Sequence, residues 1–480
     1  RFTDAESGAG VAFAQVDVKL AADGGTRRFG GSARIDADSP PLRFACEQSA
    51  RARCWIGGRG LPLARWLALL PVGGVAAVAG EIDLDAWIGY GSAVDALAVD
   101  LVARDLQLRG VEPLRFSDGD EIEPRTRVPY WHVKLSGQRD AGAWQLRVED
   151  RRAPNVTEPV LAADIAIAAD RSGRVAVADA TVDLAALAPL AALSNRLPPR
   201  LRGLLYESAP QGRVAVPRLE RGADGRWRGA AELGAVALAP GSRSPGIGPL
   251  SGSLTVDGDT VLYAAGRQLA LELDWPHVFR GIVPLVLDDA VLTAWRGGDG
   301  WRVALGRTRL AGRGYTGSGE ATLWFDPEGR RPTLDAWVHV DEGEVAASGQ
   351  FWPVNAMPAP TVAWLDRALT SGRVEGGVAV IRGDLDDWPF RDGEGRFRAQ
   401  ARVRDVDLDY HGSWPRARIG SADVEFSAIG LVATSNDVST MDNRVTVARA
   451  QIDDFREARL QLRVEGSGTG PGLLAFVRDS

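Results

Sequence analysis

The chain alternates apolar and polar residues over many short stretches. In Gln400-Ala-Arg-Val-Arg, for example, Ala401 and Val403 share one side while Gln400, Arg402 and Arg404 share the other. A period of two residues is that of a β-strand whose two faces meet different surroundings. The pattern therefore predicts many strands, each with one apolar face and one charged face.

Clusters of glycine, aspartate and proline separate these stretches and predict the turns between strands. The phase of the alternation slips once, at Arg104-Asp105, before Leu106 and Leu108. Twelve aliphatic side chains on such stretches are predicted to form a continuous apolar surface. They are Leu97, Val99, Leu101, Val303, Leu305, Val378, Val380, Ala401, Val403, Leu460, Leu462 and Val464.

Helical signals are few, and three of them share one layout. Short amphipathic helices are predicted near 61–70, 184–205 and 361–369, and each precedes a glycine stop and a strand that begins again with valine. A unit that recurs at wide spacing indicates stacked modules. We expect β-modules over 1–185, 186–350 and 351–480.

Composition excludes several classes of protein. The chain has 480 residues, is 45% hydrophobic and 25% charged, and carries a formal net charge of −7 without a dense basic run. Nucleic acid is therefore not an expected partner, because phosphate binding needs a concentrated basic surface. Arg65 interrupts the longest apolar run, 61–78, so no membrane-spanning helix is predicted. The chain starts at Arg1 without a basic-then-apolar leader, and we expect it to be an internal fragment whose anchor lies upstream.

The two cysteines, Cys46 and Cys54, lie close together in the sequence. In an oxidising compartment they could pair across a hairpin. The alternative is two half-buried thiols, and the sequence leaves both open.

Residues with catalytic or metal-binding spacing are scarce. The four histidines are far apart, which predicts neither a metal site nor a cofactor. Gly312-Arg-Gly-Tyr-Thr-Gly has the spacing of a dinucleotide loop, but a strand is predicted after it where that loop requires a helix. Asp384-Leu-Asp-Asp-Trp could suggest the paired carboxylates of a glycosidase, yet a charged turn is the favoured interpretation. The chain is not expected to be an enzyme.

One region resembles a known family. Proline-rich 351–360 precedes the helix at 361–369, then Gly372-Arg-Val-Glu-Gly-Gly, then Arg382-Gly-Asp-Leu-Asp-Asp-Trp-Pro-Phe, and later Val406-Asp-Leu-Asp-Tyr-His-Gly-Ser-Trp-Pro. This order resembles the YhdP family of AsmA-like proteins, best over 324–430.

The resemblance implies a fold, a location and partners. It implies a mostly-β chain whose long, strongly bent antiparallel sheet forms an open apolar groove, in a periplasmic body tethered to the inner membrane by a segment absent from this chain. It also implies a lipid conduit that contacts phospholipid acyl chains, with partner proteins in the periplasm or outer membrane, and no catalytic residue.

Alternation alone cannot distinguish an open groove from a sealed sandwich core. Two other functions therefore stay open: a structural scaffold for outer-membrane assembly that carries no lipid, and, more remotely, a carbohydrate-active enzyme.

Overall fold

In the computed structural model the chain is mostly antiparallel β-sheet, with 62% of it in strands and 12% in helices. The prediction of a mostly-β chain with few helices is confirmed. The structure describes residues 2–3, 10–11, 13–67, 74–116, 120–140, 142–168, 172–241, 244–298, 300–326, 331–355, 357–457 and 459–479.

The strands are, in chain order, β1 Phe2–Thr3, β2 Gly10–Val11, β3 Gln15–Asp23, β4 Thr26–Arg34, β5 Leu42–Gln48, β6 Ala52–Pro62, β7 Val75–Tyr90, β8 Val94–Gly110, β9 Leu114–Arg115, β10 Glu121–Ile122, β11 Arg125–Asp140, β12 Ala143–Arg151, β13 Leu161–Ala168, β14 Val175–Asp183, β15 Gln211–Arg221, β16 Trp227–Leu238, β17 Gly246–Asp257, β18 Thr260–Ala265, β19 Gln268–Asp274, β20 Val283–Asp288, β21 Val291–Gly297, β22 Gly300–Gly312, β23 Tyr315–Phe325, β24 Thr333–Glu344, β25 Arg373–Asp384, β26 Arg396–Leu408, β27 Ala417–Ser427, β28 Leu431–Thr440, β29 Asn443–Ile452 and β30 Leu460–Ser467.

The helices are α1 Leu63–Leu67, α2 Leu184–Leu193, α3 Pro199–Glu207, α4 Ala359–Ala368 and α5 Gly470–Asp479, with 3-10 turns at Val345–Phe351 and Leu385–Asp387. Positions 68–70 of the first predicted helix lie outside the described residues, and the second divides into α2 and α3. Within the described part of the chain, none of these helices is long and apolar enough to cross a bilayer.

Helix α5 begins inside the glycine-rich stretch 466–472. Gly466 and Ser467 end β30, and α5 starts at Gly470. The Thr469 hydroxyl accepts a hydrogen bond from the Gly472 N–H at 3.1 Å, which caps the helix. Pro471 is tolerated because N–H groups in a first helical turn have no intrahelical partner.

The chain divides into two compact units. Unit 1 comprises 1–242 and 255–258, and unit 2 comprises 243–254 and 259–480. The predicted boundaries at 185/186 and 350/351 fall inside α2 and the Val345–Phe351 turn. The division into three modules stays a prediction.

Strands pair with their neighbours in chain order along most of each unit. In unit 1 the order is β3 to β8 and then β11 to β16. In unit 2, β20 and β21 both pair with β22, and β22 to β30 follow in order. Antiparallel neighbours place successive connections at alternate rims of a sheet. In each unit the helices follow strands that end at one rim, called here the helical rim, and the opposite one is the turn rim.

A buried arginine fixes α2 and α3 at the helical rim of unit 1. Arg202 on α3 is 1% exposed. Its Nε donates to the Ala192 carbonyl at 3.0 Å and its Nη2 to the Glu112 carbonyl at 2.9 Å, while Nη1 lies 3.3 Å from the Glu112 carboxylate. One guanidinium thus joins α2, α3 and the connection after β8.

Substitution Arg202→Met is expected to lower the free energy of unfolding by about 3 kcal/mol, because the buried Ala192 carbonyl and the Glu112 carbonyl both lose their donor. Urea titration measures the loss. The control is Arg196→Met, at an exposed position between α2 and α3, which should change stability by less than about 0.5 kcal/mol. Equal stability of the two variants would show that the contacts of Arg202 do not hold the helices.

Candidate functional site

One face of the unit 1 sheet is apolar from strand to strand. Leu97, Val99 and Leu101 of β8 lie opposite Ile88, Ala86 and Leu84 of β7, and opposite Gly137, Leu135 and Val133 of β11. Directly opposed residues point to the same side of an antiparallel sheet. The same rows continue outward, and the surface, called here the unit 1 apolar face, also contains Val16, Val18, Leu20, Phe29, Phe44, Ile56, Leu146, Val148, Ile165, Ala163, Val177, Val214, Leu219 and Leu233.

The predicted phase slip in β8 is a backbone feature. Asp105 has φ 50°, in the left-handed region, and β8 keeps one register with β11 on both sides of it, with Arg104 opposite Tyr130 and Leu106 opposite Val128. The pairing of β8 with β7 shifts nearby, around Ala79, as at a bulge. Leu106 and Leu108 consequently join the core cluster under the helical rim, with Leu61, Ile82 and Leu193.

Unit 2 has an apolar face of its own. Val303 and Leu305 lie opposite Leu323 and Ala321, whose rows continue through β24 to β26. Ala401 lies opposite Gly377 and Val424. At the end of the sheet, Leu460, Leu462 and Val464 lie opposite Ile452, Ala450 and Ala448. The unit 2 apolar face therefore gathers seven of the predicted residues: Val303, Leu305, Ala401, Val403, Leu460, Leu462 and Val464.

Two predicted residues lie on the opposite face. Val378 and Val380 are opposed to His339 and Trp337, whereas Ala379 and Ile381 belong to the unit 2 apolar face. The register shifts between Val374 and Gly377, so the strand carries an extra residue there. The valines instead flank the stacked rings of Trp337 and His339, whose centroids are 6.1 Å apart.

None of the twelve residues is buried. Val378, Leu460, Leu462 and Val464 are exposed, and the other eight are partly buried. Side chains in a sealed sandwich core are close-packed by a facing layer on all sides. The apolar faces here keep surface that solvent, or an apolar ligand, can contact.

The opposite face of each sheet is charged. On β26 and β27, Arg398 lies 2.7 Å from Glu425 and Arg402 lies 2.9 Å from Asp423. The Arg398 hydrogen bond, followed by that of Gln400, holds the pKa of Glu425 below its ordinary value. Exposed pairs of this kind add little stability, and their main consequence is that this face stays in water.

Part of the connection between β24 and β25 crosses the unit 2 apolar face. We call residues 345–355 and 357–369 the crossing segment. Trp352 lies 6.1 Å from Phe426, which is on the apolar face opposite Ala399. Trp364 Nε1 donates to the Tyr410 carbonyl at 2.9 Å. The segment therefore reaches over β25 and β26 to β27.

The other side of the crossing segment is held by the loop 275–282, which joins β19 to β20. Arg280 Nη1 lies 2.8 Å from Asp366 Oδ2, and the Asn355 amide donates to the His277 carbonyl at 2.8 Å. Strands β22, β23 and β24 lie between this loop and β25. The segment is thus anchored on both sides of the face that it covers.

A second loop folds over the same face from the turn rim. The Phe390 ring occupies the space beside Gly383 and Gly395, where a Cβ would lie 2.8 Å and 2.2 Å from ring atoms. Arg391 binds Asp454 through two contacts of 2.7 and 3.0 Å, which joins the loop after β25 to the loop after β29. The Arg391 hydrogen bond, with the Arg456 N–H, lowers the pKa of Asp454 to about 2.

The loop 385–395 should loosen in acid. Because the folded protein lowers the pKa of Asp454 to about 2 from 3.8, its contribution to stability is full above pH 4 and is lost as pH falls toward 2. Hydrogen exchange of a peptide covering 385–395, corrected for intrinsic rates, should rise over that interval. Asp454→Asn should show the faster exchange at every pH, and unchanged exchange in this variant would contradict the assigned contact.

The two cysteines meet on the unit 1 apolar face. Cys46 and Cys54 are directly opposed on β5 and β6, and the structure joins them with an S–S distance of 2.16 Å. Of the two alternatives that the sequence leaves open, the structure has the hairpin disulfide.

Chemistry other than apolar contact is sparse. No group of three or more His, Cys, Asp or Glu side chains within the described ranges is arranged to hold a metal ion. Asp384 Oδ1 accepts a hydrogen bond from the Asp386 N–H at 2.9 Å and starts the 3-10 turn Leu385–Asp387. The Asp384-Leu-Asp-Asp segment is therefore a charged turn. Gly312 ends β22 and the strand β23 follows it, not a helix.

The sequence did not indicate which residues cover the unit 2 apolar face. Trp352, Phe390 and Arg391 lie in connections, where no periodicity reports a long-range contact. The proline-rich composition of 351–360 and the Trp388-Pro-Phe triplet were the available signals.

Comparisons with known proteins identify the family of the chain. The family model described as YhdP protein matches residues 11–480. The intermembrane phospholipid transporter YhdP of Escherichia coli (strain K12) is 20% identical over 306 residues, which are 63% of this chain and 24% of that protein. The match thus spans about a quarter of the relative's length. No solved structure matches the chain. Because the family model covers nearly the whole sequence, the chain belongs to the YhdP family.

Proposed function

We propose that the apolar face of each unit forms a groove that carries phospholipid acyl chains through the periplasm between the inner and outer membranes. The observation that carries the proposal is the continuity of accessible apolar rows from strand to strand in each unit. The family relationship, and a relative whose name is intermembrane phospholipid transporter, support it.

The energetics of lipid movement explain why such a face suffices. Exposing the roughly 30 methylenes of a phospholipid to water costs on the order of 25 kcal/mol, at about 0.8 kcal/mol each. An apolar strip removes most of this cost while the headgroup stays hydrated at its edge. The function needs no catalytic group, since the strip only has to remain apolar along the path.

The disulfide supports the location. Cys46 and Cys54 are bonded in the structure, and disulfides persist in oxidising compartments such as the bacterial periplasm. A segment outside this chain would supply the tether to the inner membrane.

Lipid extraction tests the proposal. The purified chain, expressed in a bacterial periplasm and washed free of detergent micelles, should release phospholipid that mass spectrometry identifies. A fluorescent phospholipid should also move from donor to acceptor vesicles faster with the protein than without it. Absence of both bound lipid and transfer would favour the scaffold function.

A further inference from the structure

The unit 1 apolar face contains a buried ion pair. Asp150 of β12 points to this face, since it lies opposite Val133 and Leu161. It is 3% exposed. Arg152 Nε and Nη2 donate to its two carboxylate oxygens at 2.9 and 2.8 Å, and the Arg152 side chain is itself only 16% exposed. Two charges therefore lie among aliphatic side chains.

An aromatic ring completes the cluster. Trp131 of β11 is on the same face, opposite Ala103, and the Arg152 guanidinium lies over its ring at 4.6 Å from the centroid. Trp131 Nε1 is buried and makes no hydrogen bond in the structure. The pair with Asp150 leaves the Arg152 Nη1 group unused. The Trp131 Nε1–H and the Arg152 Nη1 group are thus two donors for which this cluster has no acceptor.

This placement differs from that of the other arginine pairs on the same strands. Arg147 and Asp164 of β12 and β13 also pair, at 3.3 Å, but on the charged face, where both are exposed to water. A buried ion pair is seldom more stable than apolar residues of the same size. A buried indole N–H without an acceptor adds a further cost. Stability alone does not account for the cluster.

We propose that Trp131 and Arg152 bind the phosphate of a phospholipid headgroup, with Asp150 as the positioning residue that holds the guanidinium over the ring. This rests on the proposed function, and it adds a fixed headgroup position to it. Asp150 lies at the end of β12 that faces the helical rim and Arg152 follows that strand directly, while Val148 and Leu146 continue along the apolar face. A phosphate bound here leaves its acyl chains on those residues.

The chemistry fits a phosphodiester. Nη1 of Arg152 and Nε1 of Trp131 both donate, and a phosphate oxygen accepts charge-assisted hydrogen bonds that are stronger than neutral ones. The carboxylate of Asp150 cannot bind the anion, but it fixes the plane of the guanidinium. A neutral lipid with the same acyl chains lacks the group that these donors need.

The test compares a phospholipid with the diacylglycerol that has identical short acyl chains. Both bind the apolar face, and only the phospholipid contacts the cluster. Wild-type protein should bind the phospholipid about tenfold more tightly, the difference expected from one charge-assisted hydrogen bond. Arg152→Met should remove this preference while its diacylglycerol affinity stays unchanged. Trp131→Phe, which keeps a ring and removes the N–H, should reduce the preference in part.

Arg147→Met is the matched control, since it removes an arginine from the strand that carries Asp150, but on the charged face. It should keep the full preference. Inorganic phosphate should compete with the phospholipid if the cluster also binds the free anion. Diacylglycerol binding should stay unchanged whether or not phosphate competes.

Three results would overturn the inference. They are an unchanged preference in Arg152→Met, an equal loss in Arg147→Met, and a loss of diacylglycerol binding by Arg152→Met, which would make the ion pair structural. Failure of wild-type protein to bind either lipid would instead refute the proposed function and this inference together.

Discussion

Substitution Val99→Asp should reduce the phospholipid that co-purifies with the protein by tenfold or more. Val99 is at the middle of the unit 1 apolar face, opposite Ala86 and Leu135. A carboxylate there must lose water wherever hydrocarbon passes, and an unpaired charge against hydrocarbon costs several kcal/mol. Because Val99 is only partly buried, the charge can be hydrated when no lipid is bound, so the fold should survive. Quantitative lipid extraction and circular dichroism measure the two effects.

Ala98→Asp is the control, because Ala98 is exposed on the opposite face of the same strand. It should leave the bound lipid unchanged. Equal lipid in both variants would show that acyl chains do not contact this face. If Val99→Asp instead unfolds the protein, the face is a sealed core and the scaffold function gains support.

The strands of unit 1, and which of their residues share a face, could be predicted from the alternation of apolar and polar residues. Successive side chains of a strand point to opposite faces, so a period of two residues separates the faces. Leu97, Val99 and Leu101 illustrate this, and so does the slip at Asp105, where the sequence itself changes phase. The pairing partners follow in chain order because short connections join antiparallel neighbours.

Val378 and Val380 show where that reasoning fails. These valines are an even number of residues from Val374, so regular alternation would place all three on the apolar face. The extra residue between Val374 and Gly377 moves Val378 and Val380 to the opposite face of the sheet. The smaller Ala379 then lies on the unit 2 apolar face. A bulge is fixed by the partner strand and by the left-handed Gly376, with φ 104°, which composition alone does not reveal.

The covering elements could not be predicted for a different reason. The contact of Trp352 with Phe426, and that of Arg280 with Asp366, joins residues that are remote in sequence. The start of helix α4 was predicted within two residues, from its proline and the period of its apolar residues. That pattern does not indicate which face of the sheet the helix crosses. Such contacts depend on the curvature of the sheet beneath them.

If the proposed function holds, acyl chains on the unit 2 apolar face have to pass between the crossing segment and the sheet. Its anchor at Arg280 and Asp366 is a half-exposed ion pair, which contributes at most about 1 kcal/mol. Replacing attraction with repulsion should therefore raise the open population about fivefold without unfolding the sheet. Hydrogen exchange in 345–355 and 357–369 reports this opening.

Arg280→Glu is accordingly expected to speed vesicle-to-vesicle phospholipid transfer about fivefold, together with faster exchange in the crossing segment. Arg309→Glu, which disrupts the exposed pair with Asp288 on the charged face of β22, should change neither quantity. Faster exchange without faster transfer would mean that the segment does not limit passage. Slower transfer would assign it the opposite role, a support that keeps Trp352 against the acyl chains, and would refute the idea of a barrier.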